Sequence, residues 1–234
     1  MPLSLPQLTL ALFENANSRL ADYVPGPNQL ALDGLRRWLD GEGPWFLLLS
    51  GRCGTGKSHL IRAAVQALGE RKSRAIYVPL REVIEFGPAI LEELESIDFI
   101  AIDDIHIAAG KPEWEEALFN LFNRTEAVGA RLLVSSTDGP LQFQFNLADL
   151  RSRLSSGLVY TLLDLDDTEK QQALQKRAAD RGLSMPDNVA RYLITRLRRD
   201  MHELTVIFER IDAASLSAGR ELTVPFVREV LGGD

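Results

Sequence analysis

Eight consecutive residues constrain this chain more than any others: Gly51-Arg52-Cys53-Gly54-Thr55-Gly56-Lys57-Ser58 satisfy the pattern G-x-x-x-x-G-K-[ST]. At average residue frequencies, on the order of one chain in a hundred of this length meets it by chance. The setting makes it specific. The apolar run Trp45–Ser50 precedes the motif, and Leu60, Ile61, Ala64 and Leu68 follow it at helical spacing. Glycines let backbone amides turn inward around phosphate oxygens, and the helix N-terminus adds partial positive charge. Gly51, Gly54, Thr55 and Gly56 are therefore expected to cradle a polyphosphate. Lys57 is expected to reach its outer phosphates, and the Ser58 hydroxyl to ligate Mg²⁺. Cys53, the single cysteine, reads as a small filler and calls for no disulfide.

Around this motif the chain alternates between two periods. The short continuous apolar run Trp45–Ser50 predicts a strand buried on both faces, Phe99–Ile102 a further buried strand, and 74–80, 131–135 and 159–163 read as three more strands. Helical patterns fall between them. One has Leu30, Leu35, Trp38 and Leu39 on one side; another covers 84–94, interrupted by Gly87-Pro88; a third covers 114–125 with Trp114, Leu118, Leu121 and Phe122. Strands alternating with helices imply an α/β domain with a parallel sheet sandwiched by helices. After Leu163 the strands cease. Asp166 with Glu169 and Asp200 with Glu203 have capping-box spacing, and Pro186 and the pair Thr223, Pro225 mark two further helix starts. Four helices predict a small all-α domain. The expected organisation is a tail at 1–17, an α/β nucleotide-binding domain at 18–163 and a helical lid at 164–234.

Acidic and basic residues complete the chemistry. Asp103, at the end of a buried strand downstream of the phosphate loop, is placed to hold Mg²⁺. Asp104 follows it and would polarise an attacking water, with a reach one methylene shorter than that of a glutamate. Ser136 and Thr137 end the fourth strand and are candidates to sense the γ-phosphate. Arg153, with Arg151 as the fallback, lies on a short helix before the fifth strand. In ring- or dimer-forming ATPases an arginine there reaches a neighbour's γ-phosphate. His59 and His106 lack metal-ligand spacing and receive no role.

The formal net charge of −7 argues against duplex DNA as the main direct ligand. No apolar run approaches the roughly 20 residues of a membrane span, and the N-terminus is a poor signal peptide. A cytoplasmic protein is expected.

With these residues in view, the chain resembles the AAA+ ATPase domain of the bacterial replication initiator DnaA, and within that family the regulatory homologues grouped as Hda. The resemblance rests on the phosphate loop, Ile102-Asp103-Asp104, 150–154, Tyr23-Val24-Pro25-Gly26-Pro27-Asn28, Trp114-Glu115 to Asn123-Arg124, and 222–227. It runs over nearly the full length. It implies a bound ADP or ATP with Mg²⁺, weak or absent intrinsic ATPase activity, and stimulation of ATP hydrolysis in DnaA by Arg153. It also implies a clamp-binding motif. Gln7-Leu8-Thr9-Leu10-Ala11-Leu12 is similar to the Q-L-x-L-x-L form, in which Gln7 is a polar anchor and Leu8, Leu10 and Leu12 enter an apolar cleft of the sliding clamp (the polymerase β subunit) as an extended strand. The sequence ends at Asp234, directly after the lid, so no helix-turn-helix domain is expected and DNA is met only through the clamp. A homodimer or higher oligomer is compatible with the pattern. One departure concerns the lid. Where a nucleotide-sensing arginine is usual, Asp200-Met201-His202-Glu203 places His202, with Arg198 or Arg199 nearby. A stand-alone AAA+ ATPase, such as a helicase-loader-like replication factor, is the alternative reading.

Overall fold

The computed structural model describes residues 18–196 and 201–232. By contact density the chain divides into two units. One holds Asn28–Arg52 and Lys57–Leu162; the other holds Ala21–Pro27, Cys53–Gly56 and the residues from Leu163 onward.

The first unit is built on five parallel strands: β1 (Phe46–Gly51), β2 (Ala75–Pro79), β3 (Phe99–Asp103), β4 (Arg131–Ser136) and β5 (Leu158–Leu162), in the order β2-β3-β4-β1-β5. Period-two alternation within buried strands sorts their side chains onto two faces. Register then lines up Val78, Ile102, Val134 and Leu48 across four strands on one face. That row joins Trp114, Leu118, Phe122, Leu150 and Leu154 in one core cluster. Because every strand runs the same way, Gly51, Pro79, Asp103, Ser136 and Leu162 share the carboxyl edge of the sheet, where ligands of open α/β sheets bind.

Helices among the described residues of this unit are α1 (Gln29–Leu39), α2 (Lys57–Glu70), the single turn α3 (Leu80–Val83), α4 (Pro112–Val128) and α5 (Ala148–Leu154). Helix α2 packs on β2, β3 and β4, whereas α4 packs on β4 and α5. Two expectations need correction. Leu30 is 71 % exposed, and the buried stripe of α1 runs through Ala31, Leu32, Leu35, Trp38 and Leu39. At 100° per residue, Leu30 stands about 140° around the helix from Leu35. The segment 84–94 forms no α-helix either. It contains the 3₁₀ turns Ile84–Phe86 and Pro88–Leu91, with a third at Leu94–Ser96. Gly87 takes φ 85° and ψ 161°, since proline at 88 forces its predecessor out of the helical region, and Glu93 is left-handed at φ 62°.

The second unit carries α6 (Asp167–Asp180), α7 (Asp187–Arg196), α8 (Met201–Ala218) and α9 (Val224–Val230). The Asp166 side chain accepts from Glu169 N at 2.7 Å, and Asp166 N donates to the Glu169 carboxylate at 2.8 Å, so the reciprocal cap read from the sequence is formed. Gly182, at φ 74°, ends α6. Leu174, Val189, Leu193, Leu204, Phe208, Ile211 and Phe226 build the core of this unit. Asp200 lies outside the described residues, so its cap is not described. No helix of the described residues is long and apolar enough to cross a membrane.

Candidate functional site: a phosphate loop and an acidic strand end

The loop leaving β1 takes backbone conformations that favour glycine. Gly51, Gly54 and Gly56 have φ of 146°, 85° and 91°. Gly56 is required on a second count: a Cβ there would lie 2.6 Å from Cε2 of Tyr23, whose hydroxyl donates to the Thr55 carbonyl at 3.1 Å. Lys57 opens the fourteen-residue helix α2, with Ser58 second. The Lys57 side chain is only 5 % exposed and donates from Nζ to the carbonyls of Gly51 and Arg52 at 2.7 and 2.8 Å. The loop thus holds an ammonium at its own mouth.

Asp103 is 4 % exposed at the end of β3. Its two oxygens accept from different strands: Oδ2 from the Tyr77 hydroxyl at 2.9 Å, and Oδ1 from the Ser135 hydroxyl in a short bond. Burial, with Asp103 alongside, pushes the Tyr77 phenol far above its usual value, so it remains a donor. Ser135 also accepts from Asp104 N at 2.9 Å. Asp104 itself is left-handed, at φ 59°, which swings its carboxylate out to Arg81 Nε at 3.2 Å and to within 4.0 Å of His106 Nδ1. His106 Nδ1 accepts from Thr137 N at 3.3 Å, the bond of a neutral ring. Burial lowers the His106 pKa, the Arg81 and Lys57 charges lower it further, and Asp104 and Asp138 oppose the shift. Ser136 is fully buried and accepts from Asp138 N at 3.1 Å; Thr137 lies one residue past the strand and donates to Asp138 at 3.4 Å.

These oxygens fit magnesium. Each Asp103 oxygen accepts one hydrogen bond from a hydroxyl and keeps a second lone pair. Magnesium is bound by one or two protein oxygens, with phosphates and water completing its shell. No cluster of three or more metal-ligating side chains exists among the described residues, and this mode of binding needs none.

The two arginines of α5 differ in employment. Arg151 donates to the carbonyls of Phe145, in a short bond, and of Asn146 at 3.3 Å, anchoring its own loop. Arg153 is 42 % exposed, pairs with Glu126 at 2.9 Å and lies 5.9 Å from the Phe122 ring centre. Three residues were not singled out by sequence reasoning: Tyr77, Ser135 and Glu115. Ser135 follows Val134, the partner of Ile102, and its hydroxyl meets Asp103, a register that the sequence by itself does not give. Glu115 is 1 % exposed on α4 and accepts from the backbone amides of Gly110, Asn146 and Leu147 at 2.8, 3.0 and 2.7 Å. Its signal was a carboxylate on the apolar stripe of a helix, three residues before Leu118. The remaining candidates Gln7, Leu8, Leu10 and Leu12, with Arg198 and Arg199, lie outside the described residues, as does the side chain of His202.

Residues 24–161, more than half of the chain, match the family model of the bacterial DnaA ATPase domain. The chain belongs to the DnaA family. Residues 167–231 match the lid domain of Hda. Among solved structures, it is similar to domain III of the replication initiation protein DnaA from Thermotoga maritima, with a TM-score of 0.78, 20 % identity, and 93 % of this chain and 97 % of that one covered. DnaA of Aquifex aeolicus, solved with AMPPCP, gives a TM-score of 0.68 at 22 % identity over 84 % of this chain and 65 % of that one. The RuvB branch migration motor of Thermotoga maritima gives 0.61 at 17 % identity, over 90 % and 73 %. At such identities these likenesses establish the shared AAA+ fold.

Proposed function

We propose that this DnaA-family chain restrains replication initiation: it binds an adenine nucleotide with Mg²⁺, docks on the sliding clamp through Gln7, Leu8, Leu10 and Leu12, and stimulates ATP hydrolysis by DnaA through Arg153. The observation that carries this reading is the joining of a DnaA-type ATPase domain to an Hda-type lid in one chain. The AMPPCP of the Aquifex relative supports an adenine nucleotide as the ligand.

In this reading the amides of Gly54, Thr55 and Gly56 and the Lys57 ammonium take the phosphates. Ser58 and Asp103 hold Mg²⁺, which neutralises phosphate charge when bound. Ser136 and Thr137 lie on the γ-phosphate side, and His202 contributes from the lid. Arg153 is solvent-reaching where Arg151 is committed to its own loop, which favours Arg153 as the residue presented to a partner. A guanidinium delivered in trans stabilises charge on the transferring phosphoryl group and is worth about 10³–10⁵ in rate. The chain's own ADP or ATP then acts as a ligand that sets its assembly, as a homodimer or higher oligomer and with DnaA.

The test mixes the chain with ATP-loaded DnaA and clamp on DNA and follows conversion to ADP. Acceleration that disappears without clamp is expected; an unchanged DnaA rate would refute the regulatory role. The complete set of Lys57, Ser58, Asp103 and Asp104 favours a second reading, a stand-alone AAA+ ATPase such as a helicase-loader-like factor. Rapid hydrolysis by the chain alone, with no response to clamp, is its signature.

A further inference from the structure

A magnesium-holding aspartate needs lone pairs aimed at the metal, and a lone carboxylate at a strand end is free to rotate about two side-chain bonds. Asp103 is not left so. Tyr77 of β2 and Ser135 of β4 each donate a hydroxyl proton to a different oxygen of it, so the neighbouring strand on either side grips one end of the carboxylate. Register builds the grip. Tyr77 lies opposite Ala101, two residues before Asp103 and therefore on the same face. Ser135 follows Val134, the partner of Ile102, and so stands beside Asp103. The proton directions are settled as well. Ser135 accepts from Asp104 N, so its own proton goes to Asp103. A buried phenol costs free energy unless its hydroxyl finds an acceptor, and Asp103 is the acceptor that Tyr77 meets.

We propose that Tyr77 is a positioning residue for magnesium: its hydroxyl, together with that of Ser135, locks the Asp103 carboxylate in the orientation a divalent cation requires, and so sets how strongly magnesium and nucleotide binding are coupled. The inference rests on the nucleotide-binding reading of the phosphate loop. Hydrogen-bond partners of metal ligands generally fix the ligand and raise metal affinity, and their loss costs about 10- to 100-fold. Each oxygen here still keeps the lone pair that coordination uses. The Tyr77 ring belongs to the wall of the sheet, while its hydroxyl holds the Asp103 carboxylate.

The readout is a ratio rather than a rate. Calorimetry gives the Kd of the full chain for ADP in excess magnesium and in EDTA, and the quotient of the two measures the coupling between metal and nucleotide. Tyr77→Phe keeps the ring and deletes the hydroxyl. It is expected to cut that quotient roughly tenfold, with the change confined to the magnesium arm, and Ser135→Ala is expected to act in the same direction. A loss spread equally over both arms would mean a merely structural role and would overturn the proposal. So would a wild-type quotient retained in both variants. Should Tyr77→Phe melt far below the wild type, Ser135→Ala decides alone. Wild-type protein that takes up no ADP in either arm overturns the phosphate-loop reading itself, an outcome distinct from ADP uptake without magnesium coupling, which overturns only the present inference.

Discussion

At the residue scale, the surroundings of two side chains at the site, buried Lys57 and part-buried His106, decide the charge each one carries. An ammonium taken out of water is costly unless hydrogen bonds replace its hydration. Lys57 meets that demand with the carbonyls of Gly51 and Arg52, in the loop proposed to wrap the phosphates. Lys57→Ala removes a charge-assisted contact worth about 1.5–3 kcal/mol, so ADP affinity measured by calorimetry is expected to fall roughly 10- to 100-fold. His106 works in the opposite sense. Its folded-state pKa lies below the ordinary 6.5, first because of burial, so the folded protein prefers the neutral ring. The unfolded chain then binds the additional proton once pH drops below that ordinary value. The resulting stability is present above it and is lost as pH falls toward the folded-state pKa. Between about pH 7.5 and about pH 5.5, the Tm of His106→Gln is therefore expected to decline less than that of the wild type. Equal declines would remove His106 from the acid response.

Helix α4 behaves as a rail at the scale of elements. Near its start, Glu115 gathers three backbone amides from the loop after β3 and the approach to α5; near its end, Glu126 pairs with Arg153 on α5. Glu115→Ala leaves those three amides without their acceptor inside the protein. At about 1–3 kcal/mol for a group stranded this way, a loss on the order of 3 kcal/mol is expected in a denaturant titration. Glu115→Gln is expected to cost less, since its single oxygen can still accept from Gly110 and Asn146, both of which bond Oε1 of the glutamate. Arg153 and Arg151 separate on the same logic. Arg153→Ala surrenders an exposed pair worth about 0–1 kcal/mol, so it is expected to leave Tm and ADP affinity nearly intact while abolishing stimulation of DnaA. Arg151→Ala frees two carbonyls of its own loop and is expected to lower Tm. Loss of ADP binding and of stimulation together in Arg153→Ala would rule out the finger role. The strands, the phosphate loop and the cap of α6 were legible because each is written in contiguous residues. Leu30 and the segment 84–94 depart from their apolar content because helical angle carries Leu30 off the buried stripe and Pro88 keeps Gly87 out of the helical region. Glu115 and Tyr77 act across elements, through partners 31 and 26 residues away, a distance that local patterning does not carry.

Taken as a whole, the molecule has a charge of −7, and that balance limits how it can find its work. Duplex DNA repels a net anion, and affinity built on phosphate contacts needs lysines and arginines that release counterions. In the proposed reading the chain acts on DnaA at DNA without binding DNA itself, so that reading requires an intermediary. In that same reading the motif Gln7 to Leu12 supplies one, on the proposal that it adds to the clamp as an extended strand with its leucines in an apolar cleft and main-chain hydrogen bonds supplying affinity. Burying a leucine side chain contributes about 1.5–3 kcal/mol, so Leu10→Ala is expected to weaken clamp binding at least tenfold. Gln7→Ala, which deletes the polar anchor, is expected to abolish pull-down. A peptide of residues 1–14 is expected to compete with the full chain, since all the contacts this reading invokes lie within it. Salt separates the possibilities further. Binding to clamp-loaded DNA through an apolar cleft is expected to change little as ionic strength rises, whereas direct DNA binding falls linearly on a logarithmic plot. Surface-based binding measurements on naked and clamp-loaded duplexes across a salt series distinguish the two, and a steep slope on the naked duplex would show that this acidic chain reads DNA for itself.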